Sequence, residues 1–577
     1  MRCANWIWLT FLLLFVGLCF PLRTNAREPA ELGMYFAKKK YTAKPLPRFS
    51  ELRSQLPSPV YDHNPLWVKT YWKAWELAFK NFHQPAQGTG FVSNFIDAAF
   101  NQDIFLWDSC FMSMFCNYAY PLVPGISTLD NFYAKQHKDG EISREIVRAT
   151  GVDFNPWINR KDKPLFSRWG WWGWPDKMDT LEITRNVPVI YKGRKLPTPN
   201  PVLTLDALNN PILAWAELEH YQITGDRHRL QEAWEPLVHY YESLHKYLRQ
   251  GKGLYITDWA SMDNSPRNKY LKSGGTGVDI SSQMVLFARQ LSQIAKDLGK
   301  DQEAKTYSRD ANKLAALINR RMWDKKKKFY FDLQLDGKRA PIMTIAAYWT
   351  LLAKVASRQQ AAALAAQLQN PNTFGRLNMV PTVAADQPGY DPEGGYWRGS
   401  VWAPTDTMVI EGLENYGYDN LARKIALNHL NLVAKVFQKT GTIWENYAPD
   451  AVQPGRPAKS NFVGWSGIGP IGYLLEYAIG LRPDAPHNEL IWQLEPGARC
   501  GCKRYRFGGH IVTLIASPEV GKPNQMRISV KSDGAFRLIV YFMGARRTFD
   551  VAGGSQEFQI SGRPDSQKMS VDPVRGR

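Results

Sequence analysis

Between residues 230 and 248 the apolar side chains Leu230, Trp234, Leu237, Tyr241, Leu244 and Leu248 recur in alternating steps of four and three, the period of one helix face. Met284, Phe287, Leu291, Ala295 and Leu298 repeat the pattern up to Gly299. Ala304, Tyr307, Ala311, Leu314 and Ile318 then resume it, which predicts a helical hairpin. The same reading pairs 211–223 with 230–248, 343–355 with 358–368 and 401–416 with 420–437, adds helices over 66–82 and 104–118, and closes the series with 467–479. About a dozen amphipathic helices suit an all-α main domain, an (α/α)6 barrel in which six hairpins close a double-layered ring. Periodicity alone suits an open solenoid equally well.

Near residue 488 the pattern changes to short alternating runs, 505–507, 510–516, 526–530 and 537–542, separated by Gly, Pro and Asn. A small C-terminal β domain over 486–563 is therefore expected after a helical domain over 65–485, with a polar, loose tail over 564–577. At the other end, Arg2 precedes the apolar run WIWLTFLLLFVGLCF at 6–20, and Thr24-Asn25-Ala26 supplies small and polar residues for cleavage. This is the pattern of a signal peptide over 1–26, followed by an N-terminal extension over 27–64. The run is shorter than the roughly 20 residues a membrane helix needs, and no later stretch approaches it. The expectation is an exported protein, periplasmic or extracellular, without a transmembrane anchor.

The formal charge of +19 falls by only the two charges of Arg2 and Arg23 if that leader is removed. The basic residues are scattered, however, and the longest run, Lys325 to Lys328, sits in a turn between a helix and a strand, so a nucleic-acid partner is not indicated. Attraction of the basic surface to an anionic glycan remains consistent with the charge. Twenty-one tryptophans within 13% aromatic residues suit a cleft in which sugar rings stack on flat apolar faces. Beyond the leader only Cys110, Cys116, Cys500 and Cys502 remain, too few for a disulfide framework. No second Cys or His pair follows Cys500-Gly501-Cys502 at ligand spacing, so no metal site is assigned.

The chain has no GxSxG, HExxH, P-loop or dinucleotide-binding glycine motif, which leaves carboxylates to carry any chemistry. Cleavage of a glycosidic bond needs two: one to protonate the leaving oxygen, one to attack or to activate water. Asp263, in WASMDNSPR at 259–267, and Glu445, between Trp444 and Tyr447, stand in polar and aromatic interruptions of the helical pattern. Aromatic flanks are expected to raise the pKa of Glu445. Asp258, Asp391 and Glu393 lie near the same loops, and Asp-Asn-Ser-Pro is also an ordinary turn, so the residues alone leave the assignment open.

Six segments in order carry a family resemblance: Phe105-Leu-Trp-Asp-Ser109, Asp139-Gly-Glu-Ile-Ser-Arg-Glu145, Asp263-Asn-Ser-Pro-Arg267, Gly395-Tyr-Trp-Arg-Gly-Ser-Val-Trp402, Trp444-Glu-Asn-Tyr447 and Gly464-Trp465. Together they resemble the glycoside hydrolases related to mannosylglycerate hydrolase and processing α-glucosidase I (glycoside hydrolase family 63), and more distantly trehalase. The resemblance implies the (α/α)6 barrel and hydrolysis of α-linked sugars, of α-glucoside or α-mannoside type, with inversion. It places the general acid at Asp263 and the general base at Glu445, and substrate contacts at Trp107, Asp108, Arg144, Arg267, Tyr396, Trp397, Arg398, Trp402 and Trp465. The lead-in WASM before Asp263 departs from the Glu-Ser-Gly-x type seen in many relatives. No cofactor is implied; some relatives carry Ca2+, but the chain has no DxDxDG loop to hold one. An inverting pair is expected about 6.5 to 9.5 Å apart. Two other classes fit parts of the pattern: a lyase acting on acidic glycans, and a carbohydrate-binding protein without catalysis.

Overall fold

The computed structural model describes residues 36, 39–100, 102–136, 140–151, 190–191, 194–195, 210–249, 252–257, 262–271 and 275–562. The expected leader over 1–26, the Trp- and Gly-rich stretch 169–176, Asp258, Trp259 and the tail expected over 564–577 lie outside the described residues.

Burial divides the helices into two kinds. Asp301–Met322 buries Ala304, Tyr307, Ala311, Leu314, Ala315, Ile318 and Met322, a single stripe, so it covers something with one face and meets solvent with the other. Every residue of Leu106–Cys116 and of Ile468–Ile479 is buried, and nearly every residue of Ala403–Glu414, so these run through the interior. The interior helices make a circuit. Leu106–Cys116 packs on Leu213–Thr224, that on Val278–Asp297, and that on Trp349–Leu352; the circuit continues through Ala403–Glu414 to Ile468–Ile479, which returns to Leu106–Cys116. Outside it, Arg227–Leu248, Asp301–Met322 and Asp419–Thr440 pack on their sequence neighbours, and Pro65–Ala78 packs on Ile468–Ile479.

The helix expected over 104–118 begins only at Leu106, because Asp103–Phe105 is extended and pairs with Glu145–Val147. The helix expected over 343–355 is shortened to a 3-10 turn, Ile345–Tyr348, running into Trp349–Leu352, since Thr344 is still extended. A further helix, Ser127–Ala134, is not among those expected; at about two turns it is too short for the apolar spacing of Leu129, Phe132 and Tyr133 to stand out.

The C-terminal strands form a five-stranded and a four-stranded sheet. Both recruit residues from outside the span expected for a separate β domain. Ser58–Tyr61 is the edge strand beside Cys500–Phe507, with Tyr61 opposite Cys500, and Leu481–Asp484 pairs with Glu489–Gln493. The boundary expected at 485/486 therefore falls within a hairpin, and part of the N-terminal extension is a sheet strand. Cys110, Cys116, Cys500 and Cys502 are buried free thiols. No helix among the described residues is long and apolar enough to cross a membrane.

Candidate active site

Asp263 lies in a turn ahead of the short helix Asn268–Leu271. Two neighbours brace that turn from below. Asn268 donates its side-chain amide to the carbonyls of Met262 at 2.8 Å and Asp263 at 3.0 Å. Arg267, fully buried, is held between Asp332, at 3.1 Å, and Asp279. Asp332 also accepts the backbone N–H of Val278 at 2.8 Å, so the turn is pinned to the first residue of helix Val278–Asp297. The structure places Arg267 against two buried carboxylates, which engage its Nη groups, so that it supports the turn.

Glu445 sits in an extended segment facing Lys459 and is 1% exposed. Its backbone N–H donates to the Lys459 carbonyl at 2.9 Å, its carbonyl accepts the indole N–H of Trp465 at 3.0 Å, and the Ser466 hydroxyl donates to the same oxygen at 3.2 Å. The carboxylate is gripped at both oxygens. Tyr396 donates its hydroxyl to Oε1 at 2.9 Å, and the Lys459 backbone N–H donates to Oε2 at 3.0 Å. Burial nevertheless pushes Glu445 up to about 7; the two hydrogen bonds oppose that rise and the charge of Asp263 adds to it.

Asp263 thus lies within electrostatic reach of Glu445, and Asp108 joins them. Burial holds Asp108 well above the usual carboxylate range; the nearby Arg144 counters this, and Glu445 and Asp263 reinforce it. Arg144 is brought beside Asp108 by its own backbone, whose carbonyl accepts the N–H of Leu106 at 3.0 Å.

The aromatic residues of the 395–402 segment make a wall. Trp397 and Trp402 stack at 4.3 Å with 7° between their planes, Tyr396 meets Trp402 edge-on at 4.9 Å, and Trp465 lies 5.6 Å from Trp402. Trp402 is 1% exposed and backs the stack instead of presenting a face. Trp107 is packed against Phe111 at 4.8 Å and Trp349 at 6.0 Å, within an interior aromatic cluster. Arg398 is paired with Asp391 at 2.9 Å, which ties the two ends of that loop together. Among the other acids near these loops, Glu393 pairs with Arg456 at the exposed rim.

Two participants had no signal of their own in the sequence. Lys459 contributes through its main chain, which no side-chain pattern announces. Asn264 clamps the 395–397 segment; the sequence offers it as a member of the Asp263-Asn-Ser-Pro-Arg267 segment, with no role of its own. Among the described residues no group of three or more His, Cys, Asp or Glu is arranged to hold a metal ion.

The helical circuit carries a buried carboxylate cluster beside stacked tryptophans, and sequence homology gives the class: the chain is a glycoside hydrolase. Residues 196–466, which include both Asp263 and Glu445, match the mannosylglycerate hydrolase MGH1-like glycoside hydrolase domain. It is 28% identical over 336 residues to a protein of Borreliella burgdorferi, covering 55% of this chain and 70% of that one. It is 30% identical over 141 residues to the mannosylglycerate hydrolase of Rubrobacter radiotolerans, covering 24% of this chain and 31% of the relative. In fold it resembles the GH63 mannosylglycerate hydrolase of Thermus thermophilus in complex with glucose, with a TM-score of 0.51 and 18% identity over 70% of this chain and 99% of the other.

Proposed function

We propose that the protein hydrolyses an α-linked glycoside, of α-glucoside or α-mannoside type, with inversion at the anomeric carbon. The circuit of interior helices, backed by outer ones, is read as an (α/α)6 barrel, with the site at one end. Asp263 protonates the glycosidic oxygen as general acid. Glu445 takes a proton from the attacking water as general base. Asp108 and Arg144 hold the glycone, and Trp397 and Trp465 line the pocket. The N-terminal pattern over 1–26 supports export to the periplasm or beyond.

The observation that carries this reading is the grip on Glu445. Two donors, the Tyr396 hydroxyl and the Lys459 N–H, stabilise its ionised form although it is buried, as a base that must lose its proton before each turnover requires. One observation favours a second reading with the roles exchanged: burial still leaves Glu445 at about 7, a value that also suits a proton donor.

Proton NMR of the first-formed anomer, on a panel of α-glucosides and α-mannosides, tests the activity. A β product from the wild type and no turnover by Asp263→Asn are expected. An α product would overturn inversion, and undiminished turnover by the variant would remove Asp263 from the mechanism.

A further inference from the structure

The two proposed catalytic carboxylates come from segments about 180 residues apart in the chain, yet an inverting mechanism depends on their separation. A short hydrogen-bonded path joins them. Asn264, the residue after Asp263, donates its side-chain amide to the carbonyl of Gly395 at 2.9 Å and accepts the backbone N–H of Trp397 at 2.9 Å. These bonds flank Tyr396 on both sides. Tyr396 in turn donates its hydroxyl to Glu445 Oε1 at 2.9 Å.

The backbone at this point needs such a clamp. Gly394 and Gly395 have φ of +107° and +53°, and Tyr396 follows at +66°, a left-handed conformation that costs a bulky residue on the order of 1–3 kcal/mol. A side chain that satisfies the carbonyl before Tyr396 and the amide after it holds the strained residue in place and thereby aims the phenol. A side-chain carboxamide of this length supplies one donor and one acceptor together; Asp has no donor when ionised, and Ser is too short to span both groups.

We propose that Asn264 and Tyr396 form a spacer that fixes Glu445 relative to the Asp263 turn, making Asn264 a positioning residue that acts through Tyr396. The proposal rests on the reading of Asp263 and Glu445 as the acid–base pair. The other holds on Glu445, from Lys459, Trp465 and Ser466, all come from its own C-terminal side of the chain, so Tyr396 is its link towards the acid.

The charged and titratable groups around Glu445 are Asp263 on the acid turn, Asp108 with Arg144 beside it, Lys459 on the facing segment, and the Tyr396 phenol. Neither Asn264→Ala nor Tyr396→Phe removes a charge from this set. The phenol donates to the ionised carboxylate and lowers its pKa, so losing that bond raises it, and the rising limb of kcat/KM against pH moves to higher pH. Tyr396→Phe is expected to move that limb by about one unit, the equivalent of one lost hydrogen bond. Asn264→Ala is expected to reproduce the shift, with kcat reduced about 10- to 100-fold and KM within about threefold. The double variant should shift no further than either single one, because both changes break the same path.

A folded Asn264→Ala variant whose rising limb stays at the wild-type position overturns the proposal, as does a double variant in which the two shifts add. If Asn264→Ala loses the fold, Asn264→Ser is read by the same criteria. Glu445→Gln is measured alongside: wild-type turnover by that variant would sink the acid–base reading itself, whereas a dead Glu445→Gln with an unmoved limb in Asn264→Ala sinks only the spacer.

Discussion

The backbone N–H of Lys459 donates to Glu445 Oε2 at 3.0 Å while the Glu445 N–H donates back to the Lys459 carbonyl at 2.9 Å, so side chain and main chain of the same residue are locked to one partner. The reciprocal pair leaves the carboxylate little freedom to escape burial by rotating. Its pKa is accordingly set by desolvation, at about 7. A base must be ionised to act, so kcat/KM should rise with pH through about 7 and level off above it, unless a second group titrates. A profile already flat from pH 5 upward would show that Glu445 does not limit the reaction.

The same shift has a consequence for stability. In the unfolded chain a Glu titrates near its model value of 4.5, and in the folded protein Glu445 titrates at about 7. Between those values the folded state binds the extra proton, so stability falls as pH rises through this window and is lowest, as far as this group is concerned, above it. Glu445→Gln removes the penalty. At about 1.4 kcal/mol per unit, the variant should be more stable than wild type at pH 8 by about 1–3 kcal/mol, with the upper end reduced because Gln accepts only one of the two hydrogen bonds. Thermal melts at pH 5 and pH 8 check this; a gain that is the same at both would refute the linkage.

The sequence is informative where one face of an element carries a period and less so where all faces are buried. Arg227–Leu248 and Asp301–Met322 are outer helices with a polar side, and their apolar stripes were legible directly. Interior helices such as Leu106–Cys116 bury Asp108, Ser109 and Ser113 along with apolar residues, so their ends had no contrast to mark them. The strand Ser58–Tyr61 was missed for a different reason: its partner lies more than 400 residues away, and four residues hold too little pattern to announce it. At the site, motif order located the carboxylates and the aromatic wall. Spacing along the chain does not reveal which way a side chain turns, so the pairing of Arg267 with Asp279 and Asp332 was not legible there.

Arg267 therefore makes a distinct prediction. Its guanidinium is fully buried between Asp279 and Asp332, and removing it leaves two carboxylates without their cation. Burial already lifts Asp332 above its ordinary value despite the arginine. Arg267→Met should cost about 3–5 kcal/mol, the range for breaking a buried ion pair from one side. If it instead stays as stable as wild type and only raises KM, Arg267 contacts substrate after all.

Asp263 and Glu445 can be told apart by the leaving group. An acid is needed in proportion to the basicity of the departing oxygen, whereas a glycosyl fluoride releases fluoride with little protonation. If Asp263 is the acid, Asp263→Asn should lose at least about 1,000-fold in kcat/KM on an alkyl α-glycoside but far less on the matching α-fluoride, and Glu445→Gln should lose heavily on both. The base's absence can be made good by azide, a nucleophile that needs no deprotonation, giving a β-glycosyl azide with Glu445→Ala and none with Asp263→Ala. If the pattern is reversed, with Glu445 variants recovering on the fluoride and Asp263 variants recovering with azide, the roles are exchanged, and the raised pKa of Glu445 becomes that of the proton donor.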